Sequence, residues 1–327
     1  MFFKLQKILN LSSAYEKPID LINPKSFGLA AQHNGSRWNV LARTEYVLPR
    51  IFYSFFYRSI KANDIVWVKL TSRYKQDKKS NLERFVKYAL PKINQPFYLI
   101  TTDGDSSVPT HVPEAVVSKL KENKFLLCWY SQNCSSGEHV EKIRALPIGF
   151  DFHTNRCGEV GQGLANKLAV IKKSNIDCTR SQEVFCDVLL NATSTTRSRI
   201  RSLIETNSEY CIPSQRMGQL ELWQAYTQYS FVLSLEGNGL DCHRTWEALY
   251  LGCTVLVLSS ELDYLYKGLN VYILADESEL NDPDLVGRLA FFRKGFSNIA
   301  YQESYFSVKA HLNFIKNTSE GPLINDH

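Results

Sequence analysis

The sequence predicts an α/β protein built from two Rossmann-like domains that face a central cleft. Two observations carry that expectation. Apolar runs of strand length alternate with amphipathic helical stretches, which is the pattern of parallel sheets. The alternation then pauses over a polar stretch at 154–182 and starts again, in a chain of 327 residues that is long enough for two cores.

In the first half the predicted strands are DIVWVKL (64–70), PFYLIT (96–101), KFLLCW (124–129) and RALPIGF (144–150). Helices are expected around 80–91 and 113–122. The second opens at VPEAVVSKL, where a proline precedes the first turn and apolar residues follow at helical spacing. Residues 154–182 carry three glycines and one short helix, and the domain linker is placed there. The second series runs through VFCDVLLNA (184–192), SFVLSLE (230–236), CTVLVL (253–258) and VYIL (271–274). The stretch from about 283 to 316 has a helical period, and its last helix is free to pack back on the first domain. The resulting division is 1–160, 180–300 and a C-terminal helix and tail over 301–327.

Composition narrows the function classes. At 44% hydrophobic and 22% charged residues the chain is an ordinary globular protein. A net charge of +5 suits anionic ligands or an anionic membrane surface, but no Lys/Arg block marks a nucleic-acid binder. The eight cysteines are scattered with no C-x-x-C pair, so neither a zinc site nor a disulfide framework is expected. The opening MFFKLQKILNLSSAY is too interrupted for a signal peptide, and no apolar run reaches membrane-spanning length. The expected location is cytoplasmic, with peripheral attachment to the inner face of a membrane left open. Asn34, Asn133, Asn191 and Asn317 fit the N-x-S/T pattern, but without a secretory signal glycosylation is not expected. No G-x-G-x-x-G follows the first strand of either half, and no Tyr-x-x-x-Lys or catalytic serine or cysteine arrangement stands out. Dehydrogenase, epimerase and hydrolase readings are therefore disfavoured.

One passage, LSLEGNGLDCHRTWEALYLGCTVLVL (233–258), concentrates polar groups between a buried strand and the next helix. Gly237 and Gly239, around Asn238, permit a tight turn. The following helix N-terminus offers free amides and a favourable dipole for an anion. Arg244, a cation near that first turn, makes sense if a phosphate lies between it and the amides. Glu247 is suited to accept two ribose hydroxyls, and ligands of open α/β sheets bind at such strand ends. The plain alternative is a structural turn with Asp241 as N-cap and Glu247 on a solvated face. Asp151 and His153 close the fourth strand, where a carboxylate can fix an imidazole as a base. Trp129 and Tyr130 suit either a sugar platform or the core.

EGNGLDCHRTWEALYLGCTVLVL followed by ELDYLYKGLNVYIL resembles the C-terminal half of exostosin-like glycosyltransferases. PIGFDFHT (147–154) and LITTDGDSSVP (99–109) resemble segments of their first half. The resemblance implies a two-Rossmann (GT-B) transferase that moves a sugar from a nucleotide donor, UDP or GDP, to a glycan or lipid-linked glycan of a surface polymer. Glu236, Gly237, Asn238, Gly239, Asp241, His243, Arg244 and Glu247 would then form the donor pocket. His243 and Arg244 would face the diphosphate, and Glu247 or Glu236 the ribose. Arg197, Arg199 and Arg201 follow the first strand of the second domain, with Arg197 nearest the helix start and preferred as a phosphate contact. Such a site stabilises the leaving diphosphate with cations and helix ends and requires no metal. Asp103 and Asp105 would line the acceptor side with Asp151 and His153, one of them deprotonating the acceptor hydroxyl. Two alternatives stand beside this: a metal-dependent GT-A transferase using the D-x-D of Asp103 and Asp105 with Mg²⁺ or Mn²⁺, and a non-catalytic glycan- or nucleotide-binding scaffold.

Overall fold

The structure, a computed structural model, describes residues 19–34, 53, 57, 59–70, 80–137, 142–155, 158–176, 178–188, 195–296 and 304–317. The N-terminal MFFKLQKILNLSSAY, Cys157, Asn191 and the side chain of Asn34 lie outside the described residues.

Two five-stranded parallel sheets carry the fold. The first contains β1 (His33–Asn34), β2 (Asp64–Lys69), β3 (Phe97–Thr102), β4 (Leu126–Ser131) and β5 (Ile143–Ala145), in that spatial order. The second contains β6 (Ser181–Phe185), β7 (Tyr210–Cys211), β8 (Tyr229–Leu233), β9 (Thr254–Leu258) and β10 (Val271–Leu274), ordered β10-β9-β8-β6-β7. Two Rossmann-like halves are thus present. β3 is buried at all six positions, as expected for a central parallel strand covered on both faces.

Helices are α1 (Ser26–Ala30), α2 (Asn81–Tyr88), α3 (Glu114–Lys121), α4 (Gln162–Ser174), α5 (Thr195–Ile204), α6 (Gln219–Gln228), α7 (His243–Tyr250), α8 (Leu285–Lys294) and α9 (Val308–Asn317). Local chemistry explains several boundaries. Ser80 and Glu83 form a capping box that starts α2. The polar stretch expected to link the halves contains α4, whose Leu164, Leu168 and Ile171 are buried.

Two strand expectations are shortened. RALPIGF pairs only at Arg144 and Ala145, in a strand that begins at Ile143, because Pro147 lacks an N–H and Gly149 takes φ +69°. The chain there turns to other partners: Phe150 donates its N–H to Ile22 O (2.9 Å) and Ile148 to the Asp241 carboxylate (2.7 Å). VFCDVLLNA pairs only as far as Phe185, and its tail past Val188 is not described. α6 was not anticipated from the sequence.

The main core is continuous through both halves. Phe150 meets Tyr250 and Phe306, Phe152 meets Trp223, and Trp246 stacks on Tyr305 at 6.0 Å. A second core on the other side of the second sheet joins Val184, Phe231, Leu256, Leu285 and Leu289. The last helix packs back on the N-terminal segment: Val308 N–H bonds Asp20 O (2.8 Å), Ile22 N–H bonds Phe306 O (2.9 Å), and His311 sits edge-on to Phe27. Among the described residues no helix is long and apolar enough to cross a membrane.

Candidate functional site

The polar passage after β8 lies where the carboxyl ends of the two sheets meet. Its turn is fixed by Asn133, just past β4. Asp241 donates its N–H to Asn133 Oδ1 (2.9 Å), and Asn133 Nδ2 donates to Gly104 O (3.2 Å). Gly239 packs so closely that a Cβ there would lie 2.6 Å from Asn133 Oδ1. Asn133 is 1% exposed, so its N-x-S/T pattern marks an interior tie and not a glycan site.

Two carboxylates read as ligand contacts prove to be interior ties. Asp241 accepts Ile148 N–H at 2.7 Å and Trp246 Nε1–H at 2.8 and 3.0 Å, and it is 3% exposed. Nor is it the N-cap, a position held by Cys242. Burial pushes the Asp241 carboxyl up to about 7, against the lowering effect of those hydrogen bonds. Glu247 is also 3% exposed. Its Oε1 accepts Asp151 N–H (3.0 Å), and its Oε2 accepts Trp223 Nε1–H (2.9 Å) and Gln219 Nε2–H (3.2 Å). Neither a ribose contact nor a solvated face fits Glu247. One buried carboxylate here binds three donors, two from α6 and one from the chain after β5.

Glu236, Gly237 and Asn238, by contrast, are exposed at the end of β8. Arg197, on the first turn of α5, reaches this loop and donates to Glu236 O from Nη2 (2.6 Å) and Nε (3.2 Å). Partial burial and the neighbouring Arg244 lower its pKa. Arg244 itself forms a two-pronged pair with Asp187, Nε–Oδ1 2.9 Å and Nη2–Oδ2 3.2 Å, and Tyr226 Oη donates to the same Asp187 Oδ1. Burial alone would lower the Arg244 pKa, but Asp187 outweighs it and the guanidinium stays charged. Between the two arginines sits Cys242, whose thiol burial pushes up to about 11, so it remains neutral. Arg199 instead pairs with Glu277 (2.7 Å) on the surface, and Arg201 lies near Glu205 at 3.8 Å. Of the three arginines on α5, Arg197 is the one that meets the β8 loop.

A third group forms on the other side of the α7 start. His243 Nδ1 lies 2.7 Å from Gly149 O, which requires the proton on Nδ1. Its ring centroid is 5.5 Å from that of His153. His153 Nδ1 stands 3.1 Å from Asp151 Oδ1, yet it is buried and makes no well-formed hydrogen bond. One ligating atom each from Asp151, His153 and His243 lies within 4.8 Å of the others. Asp151 is 2% exposed, held by the Glu247 bond to its N–H and by Thr154 N–H on its Oδ1 (3.0 Å).

Asp103 and Asp105 are half-buried at the carboxyl end of β3. Asp103 takes φ +66° and pairs with Lys69 Nζ at 2.6 Å. Neither belongs to the metal-capable group found among the described residues. Trp129 and Tyr130 are core residues, 0% and 2% exposed, and the Trp129 indole donates to Thr101 Oγ1 (2.8 Å). They offer no sugar platform.

Sequence reading missed Asp187, Gln219, Trp223 and the structural role of Asn133. Asp187 left one trace, an acid inside an otherwise apolar predicted strand. The others left none, because their partners lie far away in sequence.

Comparison with known proteins adds little. No protein-family model matches the chain, and no curated protein matches it. A solved structure described as trehalose-6-phosphate from E. coli bound with UDP-2-fluoro glucose is similar at 10% identity and a TM-score of 0.37. That likeness covers 86% of this chain and 76% of the other.

Proposed function

We propose that the protein is a glycosyltransferase of the two-Rossmann, GT-B kind, taking its sugar from a nucleoside diphosphate donor. The observation that carries this reading is Arg197, anchored at the exposed Glu236–Gly237–Asn238 turn with the Arg244 guanidinium near enough to lower its pKa. Two fixed cations held this near to each other have a use for a bridging polyanion. The site lies at strand carboxyl ends beside the start of α7, where α/β sheets bind nucleotides. Glu236 takes the ribose contact, because Glu247 is committed to the interior.

The second sheet and its helices, within 180–300, serve as the donor half, and 1–160 as the acceptor half, with 301–327 as an appended helix and tail. In the transfer, an acceptor hydroxyl oxygen bonds the anomeric carbon while the bond to the diphosphate breaks. The arginines stabilise the departing charge. The hydroxyl proton passes to the acceptor side, where Asp103, Asp105 and the Asp151–His153 group stand. The acceptor is a glycan or lipid-linked glycan. A division into two parallel sheets and the engagement of Asp103 by Lys69 favour this over a D-x-D metal transferase.

A thermal-shift panel of UDP, GDP, CMP and their sugars tests the reading. A ligand at a hundredfold excess over Kd adds about 2.7 kcal/mol and raises the midpoint by roughly 5 °C. One nucleotide should do so, and Arg197→Ala should cut the shift to about half or less. No shift with any nucleotide would overturn the donor site.

A further inference from the structure

We propose that Asp151, His153 and His243 bind a divalent first-row transition ion of the Zn²⁺ type. The sequence pairs Asp151 with His153 but does not join His243 to them, because it lies 92 positions beyond Asp151 and the D-x-H spacing alone is common. The fold brings one ligating atom from each within 4.8 Å of the others, and Asp151 Oδ1 and His153 Nδ1 are already 3.1 Å apart. Ligands at about 2.1 Å around a tetrahedral ion stand roughly 3.4 Å from one another, so small side-chain adjustments close the set.

The chemistry of the unliganded group favours a cation. His153 Nδ1 is buried, makes no well-formed hydrogen bond among the described residues, and stands 3.1 Å from the Asp151 carboxylate. A metal ion satisfies both at once. The surroundings are those of a built metal site. His243 Nδ1–H donates to Gly149 O, which fixes the ring and makes Nε2 the ligand atom. Gly149 can hold this carbonyl in place because its φ is +69° and a Cβ would lie 2.1 Å from Ile22 O. Asp151 is positioned by Glu247, itself clamped by Trp223 and Gln219.

Two imidazoles and one carboxylate select Zn²⁺, Co²⁺ or Fe²⁺ over Mg²⁺ and Ca²⁺, which prefer all-oxygen shells. Three protein ligands leave a position open, as in catalytic sites. If the transferase reading also holds, an ion there would ease loss of the acceptor proton. The binding itself does not depend on that reading.

The test uses the full chain, stripped with a chelator and titrated with Zn²⁺ against a chromophoric competitor, then with Co²⁺ read by visible absorption. No nucleotide is present, so the result is independent of donor binding. One equivalent should bind, with a Co²⁺ spectrum of nitrogen and oxygen ligands. His153→Gln should weaken it by more than about 100-fold, the upper end for loss of a mere outer-shell partner. His243→Gln is the second variant, and the unfolding midpoint of each confirms that it is folded. Mg²⁺ should not compete. Absence of a stoichiometric site would overturn the proposal. So would wild-type affinity in both folded variants, or a thiolate-to-metal absorption band, which would place the ion on cysteine.

Discussion

The Asp241 carboxylate accepts the backbone N–H of Ile148 at 2.7 Å, joining the start of α7 to the chain that leaves β5. The same carboxylate holds the Trp246 indole, so one buried acid registers the two halves against each other at the site. Its neighbour in role is Glu247, which holds Asp151 in the same way one turn further along α7.

Burial raises the Asp241 carboxyl from 3.8 to about 7, so the folded protein holds a proton there that the unfolded chain has released. Its contribution to stability is therefore fully present below about pH 4 and is lost as pH rises through 7. Each pH unit inside that window costs up to about 1.4 kcal/mol. Urea midpoints measured from pH 5 to 8 should fall with a slope that Asp241→Asn flattens. A slope unchanged in that variant would assign it to other groups.

His311 works in the opposite direction. Buried beside Phe27 and Tyr305, with its Nε2 2.8 Å from Tyr305 O, it has its pKa lowered to about 4. The unfolded chain binds the proton first, so stability is lost as pH falls from about 6.5 to 4. His311→Gln can keep the bond to Tyr305 O and should lessen the acid sensitivity, read as the unfolding midpoint at pH 5 relative to pH 7.

Glu247→Leu should destabilise the protein severely. It orphans the Asp151 N–H and the Gln219 and Trp223 donors in the interior, at about 1–3 kcal/mol for each. Glu247→Gln retains one acceptor and should lose less. If Glu247 instead bound ribose, both variants would keep their unfolding midpoint and lose nucleotide affinity.

Gly239→Ala should cost about 1–3 kcal/mol, because the new methyl meets an Asn133 amide held by Asp241 and Gly104. Asn133→Ala removes the obstruction, so the two changes should couple in a double-mutant cycle. Strict additivity of the unfolding free energies would show that the contact is not made.

Arg197→Ala and Arg244→Ala should separate binding from folding. Arg197 is anchored to a backbone carbonyl at the exposed loop, and its loss should lower nucleotide affinity at least about tenfold with the midpoint nearly unchanged. Arg244→Ala also leaves Asp187 half-buried without its cation, so it should lower both affinity and midpoint. Calorimetric titration with the best nucleotide, beside thermal unfolding, reads both.

The sequence by itself determined the two-sheet α/β plan, because a parallel strand buried on both faces must be mostly apolar, as residues 97–100 and 255–258 are. It also marked the turn at Gly237–Gly239 and placed Arg197 near a helix start. Tertiary structure alone decided which polar residues look outward. Glu236 and Glu247 are equally plausible ribose contacts in a linear reading, yet one is exposed and the other is locked between Asp151, Gln219 and Trp223. Likewise Asn133 stands out in the sequence only as an N-x-S match and is an interior bridge, and His243 meets Asp151 and His153 only after folding. The physical reason is one of range. Periodicity records how an element lies against its own core, whereas a buried carboxylate or amide is defined by donors that other elements deliver from a hundred residues away.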